Sequence, residues 1–469
     1  MTHLHQFARR CEFSLQSYPK ALAPQMWHWL GSLTLTPDPE GSMAAPVFFD
    51  ASYLIARATY PRADGFTNVT LAYARHFVDQ ARGFFVRNGP SDPVVLERHH
   101  AHRILKTLDQ TMSSRPSALG GVRDWLAGGA PPPSQVRASG LRTAASRFVG
   151  DRVAKVQCSY IARARASGRI AEGAVYLNVA QYAYSDCEAY RWLDRRPDVR
   201  PVFLVHDLLP LDYPEFFVPG EGERFARRIS MALTRGRGLI VTSEDVRARV
   251  QDEMARRGHA RLPVLVAPFP SPLTCPAPNP IDEDLSAHPY FVMVATIEPR
   301  KNHLLMLSIW RELAKAAAAE GKAVPKLILV GRRGRENEQI VDVLDRGRLT
   351  QPHVLEIPFL APTDLSRLIA NARGLLMPSF AEGYGLPLVE ALAMGTPVVA
   401  TDAPVFREVT QGLALYRSPI DGFGWQNAIL GLSDRRSPEA EAARSSAKRF
   451  VAPTWAGYFD SVQHFLKSV

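Results

Sequence analysis

Six prolines (Pro268, Pro270, Pro272, Pro276, Pro278 and Pro280) crowd residues 268–280. No helix interior or central strand tolerates such a run. On both sides of it, short apolar segments alternate with helical patterns. Strands are predicted at 46–50, 175–179, 202–205, 239–241 and 262–266 before the prolines. After them, strands are predicted at 290–295, 326–330, 354–357, 374–378 and 397–400. Helices are expected at about 69–87, near 138–156, after the Thr242-Ser243-Glu244 cap, and at 304–320, 337–347 and 363–372. Strands alternating with helices imply βαβ units, parallel sheets and right-handed crossovers. The expected fold class is therefore α/β, with two Rossmann-like domains and an inter-domain cleft. Ligands of such sheets sit outside the carboxyl ends of the strands, which directs attention to the loops just after them.

The length of 469 residues agrees with more than one domain, since single cores stop growing near ~250–300 residues. An apolar fraction of 46% with 22% charged residues excludes a disordered or collagen-like chain. No apolar run reaches the ~18 residues of a membrane span, and the first residues lack a secretory apolar core. Cys11, Cys158, Cys187 and Cys275 are scattered without metal-like spacing and read as free thiols, so a cytoplasmic location is expected. The net charge of +10 comes from arginines spread along the chain rather than one stripe interleaved with aromatics, so no nucleic-acid partner is expected. The basic amphipathic pattern at 138–156 reads first as a solvated helix flank. It is also compatible with peripheral work at an anionic membrane face.

The chemistry gathers in Glu382-Gly383-Tyr384-Gly385-Leu386-Pro387-Leu388-Val389-Glu390. Pro387 suits a first helical turn, and Gly395 ends that helix. Gly383 and Gly385 would let the backbone approach a ligand closely, and amides over 384–388 would open an anion site at the helix start. Glu382 and Glu390 flank that cradle. Beside a phosphate two acids would repel it, so hydroxyls are their expected partners; acids complementing the helix dipole are the alternative.

With its continuation to Thr396-Pro397 and Asp402-Ala403-Pro404, this string closely resembles the donor-binding signature of family 4 glycosyltransferases, which have the GT-B fold. The resemblance implies a nucleotide-sugar co-substrate and no metal. In it, Arg300 and Lys301 of the loop at 295–303 would grip the diphosphate. Gly383, Tyr384, Gly385 and Leu386 would cradle phosphate and sugar, Glu390 would take the ribose, and Glu382 would position the hexose. From the first half His206 would reach the sugar or acceptor, with Asp207 and Gly65 on the acceptor side. Thr67-Asn68 departs there from the commoner acidic–basic pair. The resemblance further implies retention of anomeric configuration, and a closing helix near Thr454-Trp455 that crosses back to the first domain. The expected organisation is an extension over 1–45, an acceptor-side domain over 46–280, a donor domain over 281–450 and a closing helix over 451–469.

The form at 297–302 is similar to mannosyltransferase-like members. It implies GDP-mannose first and a UDP-sugar second, with a glycan or polyprenyl-diphosphate-linked acceptor in surface polysaccharide synthesis. A nucleotide-sugar epimerase of the same fold, or a non-catalytic sugar-binding relative, is the alternative. Asp282-Glu283-Asp284 has the spacing of a metal-binding D-x-D but precedes any strand, so it reads as a solvated turn. The chain contains no HExxH, CxxC or Walker loop.

Overall fold

The computed structural model describes residues 45–469 except 59–64, 81–82, 88–92, 114–116, 132–168, 181–186, 260 and 274–281. The predicted helix at 138–156, the extension before residue 45 and the later part of the proline run lie outside the described residues. Ala45–Val469 forms one unit.

Within it are two sheets. The first has the order β3-β2-β1-β4-β5-β6-β7, from β1 (Val47–Asp50), β2 (Gly83–Arg87), β3 (Val94–Leu96), β4 (Val175–Asn178), β5 (Arg200–Val205), β6 (Gly238–Val241) and β7 (Val264–Val266). The second has the order β10-β9-β8-β11-β12-β13, from β8 (Tyr290–Val294), β9 (Lys326–Val330), β10 (Val354–Ile357), β11 (Gly374–Met377), β12 (Val398–Thr401) and β13 (Leu415–Arg417). Every pairing is parallel except β2 with β3. Helices cover the sheets, so the central strands are apolar throughout rather than alternating: Phe203, Leu204, Leu327 and Ile328 are all fully buried.

Chain order reverses between β1 and β4 in one sheet, and between β8 and β11 in the other. Such switch points open a crevice at the carboxyl ends of the strands. In the second sheet the loops leaving β8 and β11 therefore meet, and these hold Arg300-Lys301 and Glu382.

Two readings need correction. The helix expected to run to Arg87 spans Gly65–Val78, and Gly83–Arg87 is strand β2. A Cβ on Gly83 would lie 2.1 Å from the Phe77 carbonyl, so the chain can turn tightly off the helix, and Phe85 and Val86 are then buried in the strand. The acidic turn is not simply solvated. Asp282 caps the helix Glu283–Ser286 and takes a hydrogen bond of 2.6 Å from Arg123 of the first half; Glu283 and Asp284 are exposed.

The closing helix, Trp455–Ser468, begins where Thr454 caps it by accepting from the Gly457 amide. It lies on the first half. The Tyr73 and Tyr458 hydroxyls are 2.7 Å apart in a buried pair, and His76 stacks on Phe459 with ring centroids 3.9 Å apart. Gly238 leaves the space that Phe465 and Val469 occupy, since a Cβ there would meet both at 2.9 Å. Removing one hydroxyl strands the other in an apolar site. Tyr458→Phe should cost about 1–2 kcal/mol, read as a lowered urea midpoint with an unchanged slope.

Candidate active site

Between the sheets lies a cleft of about 630 Å3, with His206 and Asp207 on one wall and Arg300, Lys301, Glu382 and Glu390 on the other. After β8 the backbone makes a single 3-10 turn, Pro299–Lys301, that ends at Asn302 in the left-handed region (φ 59°). Asparagine tolerates that conformation better than most residues. The buried Asn302 amide donates to Pro378 O at 3.1 Å and Pro419 O at 2.8 Å, while the Phe380 amide donates to Arg300 O at 2.9 Å. The cation-bearing turn is thus tied to the loop that follows β11.

That tie sets the charges. Lys301 Nζ and Arg300 Nη1 both contact the Glu382 carboxylate, the latter at 2.9 Å. Arg300 also pairs with Glu298 at 2.9 Å and donates to Ala381 O at 2.6 Å. All three side chains of the triad are largely buried. Burial alone would raise the Glu382 pKa, but the neighbouring Arg300 and Lys301 charges outweigh it and hold the carboxyl down at about 2. Glu382 is therefore the counter-ion of the two cations, rather than an acid standing free for hydroxyls as the sequence suggested.

Glu390 behaves oppositely. It lines the same cleft with no hydrogen-bond partner for its carboxylate among the described residues, and burial raises its pKa to about 7. An unpaired carboxylate there is suited to accept hydroxyl hydrogens from a ligand. Asp207 is also raised by burial, partly offset by Arg300, and accepts from the Leu209 amide at 3.0 Å.

The helix Leu386–Ala393 starts from Gly385, which at φ 103° adopts a conformation that side chains rarely take. Among the described residues no acceptor takes the Gly383, Tyr384, Gly385 or Leu386 amide, so these four remain open. The open run covers 383–386 rather than the expected 384–388: Pro387 has no N–H, and the Leu388 amide is spent on Gly385 O at 2.9 Å.

Gly383 also admits the opposite wall: a Cβ there would meet Asp207 Cβ at 2.5 Å and His206 O at 2.8 Å. Thr242 Oγ1 shares its proton between His206 O (3.3 Å) and Gly383 O (3.2 Å) at the same contact. Tyr384 likewise donates from its hydroxyl to Phe269 O at 2.9 Å. Gly65, at the start of helix Gly65–Val78, abuts Leu386. His206 lines the cleft with its Nε2 2.9 Å from Val179 O and its ring against Phe66. Burial lowers its pKa to about 4, so the imidazole is neutral.

Sequence reasoning missed Asn302 and Thr242. Asn302 directly after a proline-led basic turn was a readable sign of a left-handed stop; Thr242 reads in sequence only as part of a helix cap, and nothing local pointed to its contact with Gly383.

The fold and cleft are those of GT-B proteins. Anabaena HepE, solved in complex with UDP and glucose, superimposes with a TM-score of 0.56 at 16% identity, covering 91% of this chain and 100% of that one. Sucrose-phosphate synthase from Thermosynechococcus elongatus gives 0.52 at 16% identity, over 90% and 98%. Residues 282–412, which hold the triad, the open amides and Glu390, match the family model of group 1 glycosyl transferases. The serotype-specific mannosyltransferase WbdA of Escherichia coli is 31% identical over 229 residues, 46% of this chain and 28% of WbdA. The O-antigen chain mannosyltransferase RfbU of Salmonella typhimurium is 28% identical over 233 residues, 49% of this chain and 59% of RfbU. The chain thus spans well under two thirds of these curated relatives.

Gly383→Ala should force the walls apart. We expect a stability loss of about 1–3 kcal/mol and, beyond it, at least a tenfold weaker hold on any ligand that touches both walls, measured by calorimetric titration. Glu382→Gln should remove the stability that its ionised form supplies. That contribution is complete above the unfolded carboxyl pKa and lost as pH falls toward about 2. The variant's stability should therefore fall less steeply below pH 4.5 than that of the unaltered chain, followed by chemical denaturation.

Proposed function

We propose that this protein transfers a hexose, mannose in the first instance, from a nucleotide-diphosphate sugar to a glycan or lipid-linked oligosaccharide acceptor. The observation that carries the reading is the convergence on one cleft of two buried cations, four open amides and an unpaired carboxylate. Cations and amides suit a diphosphate, and Glu390 suits the ribose hydroxyls. Burial and the adjacent Arg300 pull the Lys301 pKa down, and an arriving diphosphate favours its charged form again.

In the transfer, the bond between the sugar's anomeric carbon and the diphosphate oxygen breaks, and both electrons leave with the phosphate. Arg300, Lys301 and the open amides stabilise that charge as it grows. The acceptor hydroxyl oxygen bonds to the anomeric carbon, and its proton passes to the departing phosphate. Retention of configuration is part of the proposal. So is independence from metal, since the cationic side chains and amides already supply the electrostatic work.

GDP-mannose is the favoured donor, supported by the mannosyltransferase names of WbdA and RfbU; UDP-sugars are second. No helix among the described residues is long and apolar enough to cross a membrane, and contact with a lipid-borne acceptor would be peripheral.

A thermal-shift panel of GDP, UDP and ADP at one shared concentration, near 100 times the GDP dissociation constant, should single out GDP with about 2.7 kcal/mol of added stability. Transfer from GDP-mannose should persist in EDTA and fall at least a hundredfold in Lys301→Ala. No nucleotide response, or full transfer by that variant, would reject the assignment. Conversion of donor without any acceptor would reveal an epimerase instead. GDP affinity should rise as pH passes upward through about 7, where Glu390 ionises, and Glu390→Gln should flatten that rise in calorimetric titrations.

A further inference from the structure

A second cavity, of about 410 Å3, shares a wall with the main cleft. Pro299 and Asn302 face this cavity, whereas Arg300 and Lys301 of the same loop face the cleft. Its volume lies within the ~300–1,000 Å3 of small-ligand sites. Phe216 from the first half and Phe380 from the second lie nearly parallel in it, with ring centroids 5.6 Å apart and an interplanar angle of 15°. Phe380 remains 37% exposed although it sits only two residues before Glu382. The polar part of the lining is Asn302, Glu336, Glu338 and Gln339, with no cation among the lining residues.

Glu336 is held at φ 52°, a left-handed conformation that is strained for a residue with a Cβ. Strain of this kind persists where the surroundings enforce it, and it gathers at ligand sites.

The chemistry of the lining selects its occupant. Two carboxylates with no cation among the lining residues disfavour a phosphate-bearing molecule. Apolar ring surfaces next to carboxylate and amide groups instead suit an uncharged ligand with apolar C–H faces and many hydroxyls. A sugar ring has both.

We infer that this cavity is a carbohydrate subsite, holding sugar units of a neutral oligosaccharide acceptor whose reacting end lies in the main cleft. The inference rests on the transferase reading and extends it: the acceptor is a chain recognised several units from the point of transfer. Phe216 belongs to one half and the other lining residues to the other, so the subsite is complete only when the two walls are together. An occupied subsite thereby favours the arrangement in which Gly383 and Asp207 meet.

The test is saturation-transfer NMR and calorimetry on the full chain, with mannotriose and maltotriose as neutral probes and GDP as the probe of the main cleft. At least one trisaccharide should bind saturably. Phe216→Ala should weaken it at least tenfold, and Gln339→Ala, at an exposed position that does not threaten folding, about threefold. Both variants should keep the GDP affinity of the unaltered chain. GDP binding with no trisaccharide binding, or trisaccharide binding unchanged in both variants, would overturn the subsite and leave the donor reading standing. Trisaccharide binding with no response to any nucleotide would overturn the donor reading and the acceptor role together.

Discussion

One carboxylate bridges two buried cations that come from a different loop, with Glu298 as the second counter-ion, and the donor side of the cleft depends on that pairing. Arg300 and Lys301 are adjacent in sequence and shielded from water, so without Glu382 they would repel each other in a medium that screens poorly. The parallel order that places β8 beside β11 makes the pairing geometrically possible. Asn302 then fixes the distance, by holding its own turn to the carbonyls of Pro378 and Pro419. The site is thus preorganised by backbone ties, and its charges are balanced before any anion arrives.

The opposite wall is defined by missing atoms as much as by present ones. Gly383 meets the His206-Asp207 backbone, and Gly65 meets Leu386, at distances that leave little room for side chains. Thr242 joins this contact from the end of β6, and Glu408 of the second half accepts from the Glu244 and Asp245 amides that open helix Glu244–Arg256. A negative group at a helix start is favoured by the helix dipole and satisfies amides that would otherwise lack partners. These contacts are small, specific and distributed, which is what a cleft that must admit and release a ligand requires.

Much of this was legible in sequence because the central strands are buried on both faces and therefore read as uninterrupted apolar runs. Residues 326–330 and 354–357 coincide with β9 and β10. The motif loops appeared in the right places for a similar reason, since they directly follow such runs. Strand β2 was hidden because Gly83-Phe84-Phe85-Val86 continues the apolar content of the preceding helix, and only the steric demand of the turn at Gly83 separates them. The partnership of Glu382 with Arg300 and Lys301 joins residues some eighty positions apart. It follows from strand order, which no local pattern encodes. The burial that makes His206 neutral, and the contact that makes Gly383 indispensable, likewise arise only when both walls exist.

The closing helix has a consequence for biosynthesis. Its fourteen residues cover Tyr73 and Gly238, which leave the ribosome hundreds of residues earlier. The amino-terminal sheet must therefore wait, with an apolar seam uncovered, until this helix has emerged. Nascent chains stalled before Trp455 are where chaperone engagement and aggregation should concentrate.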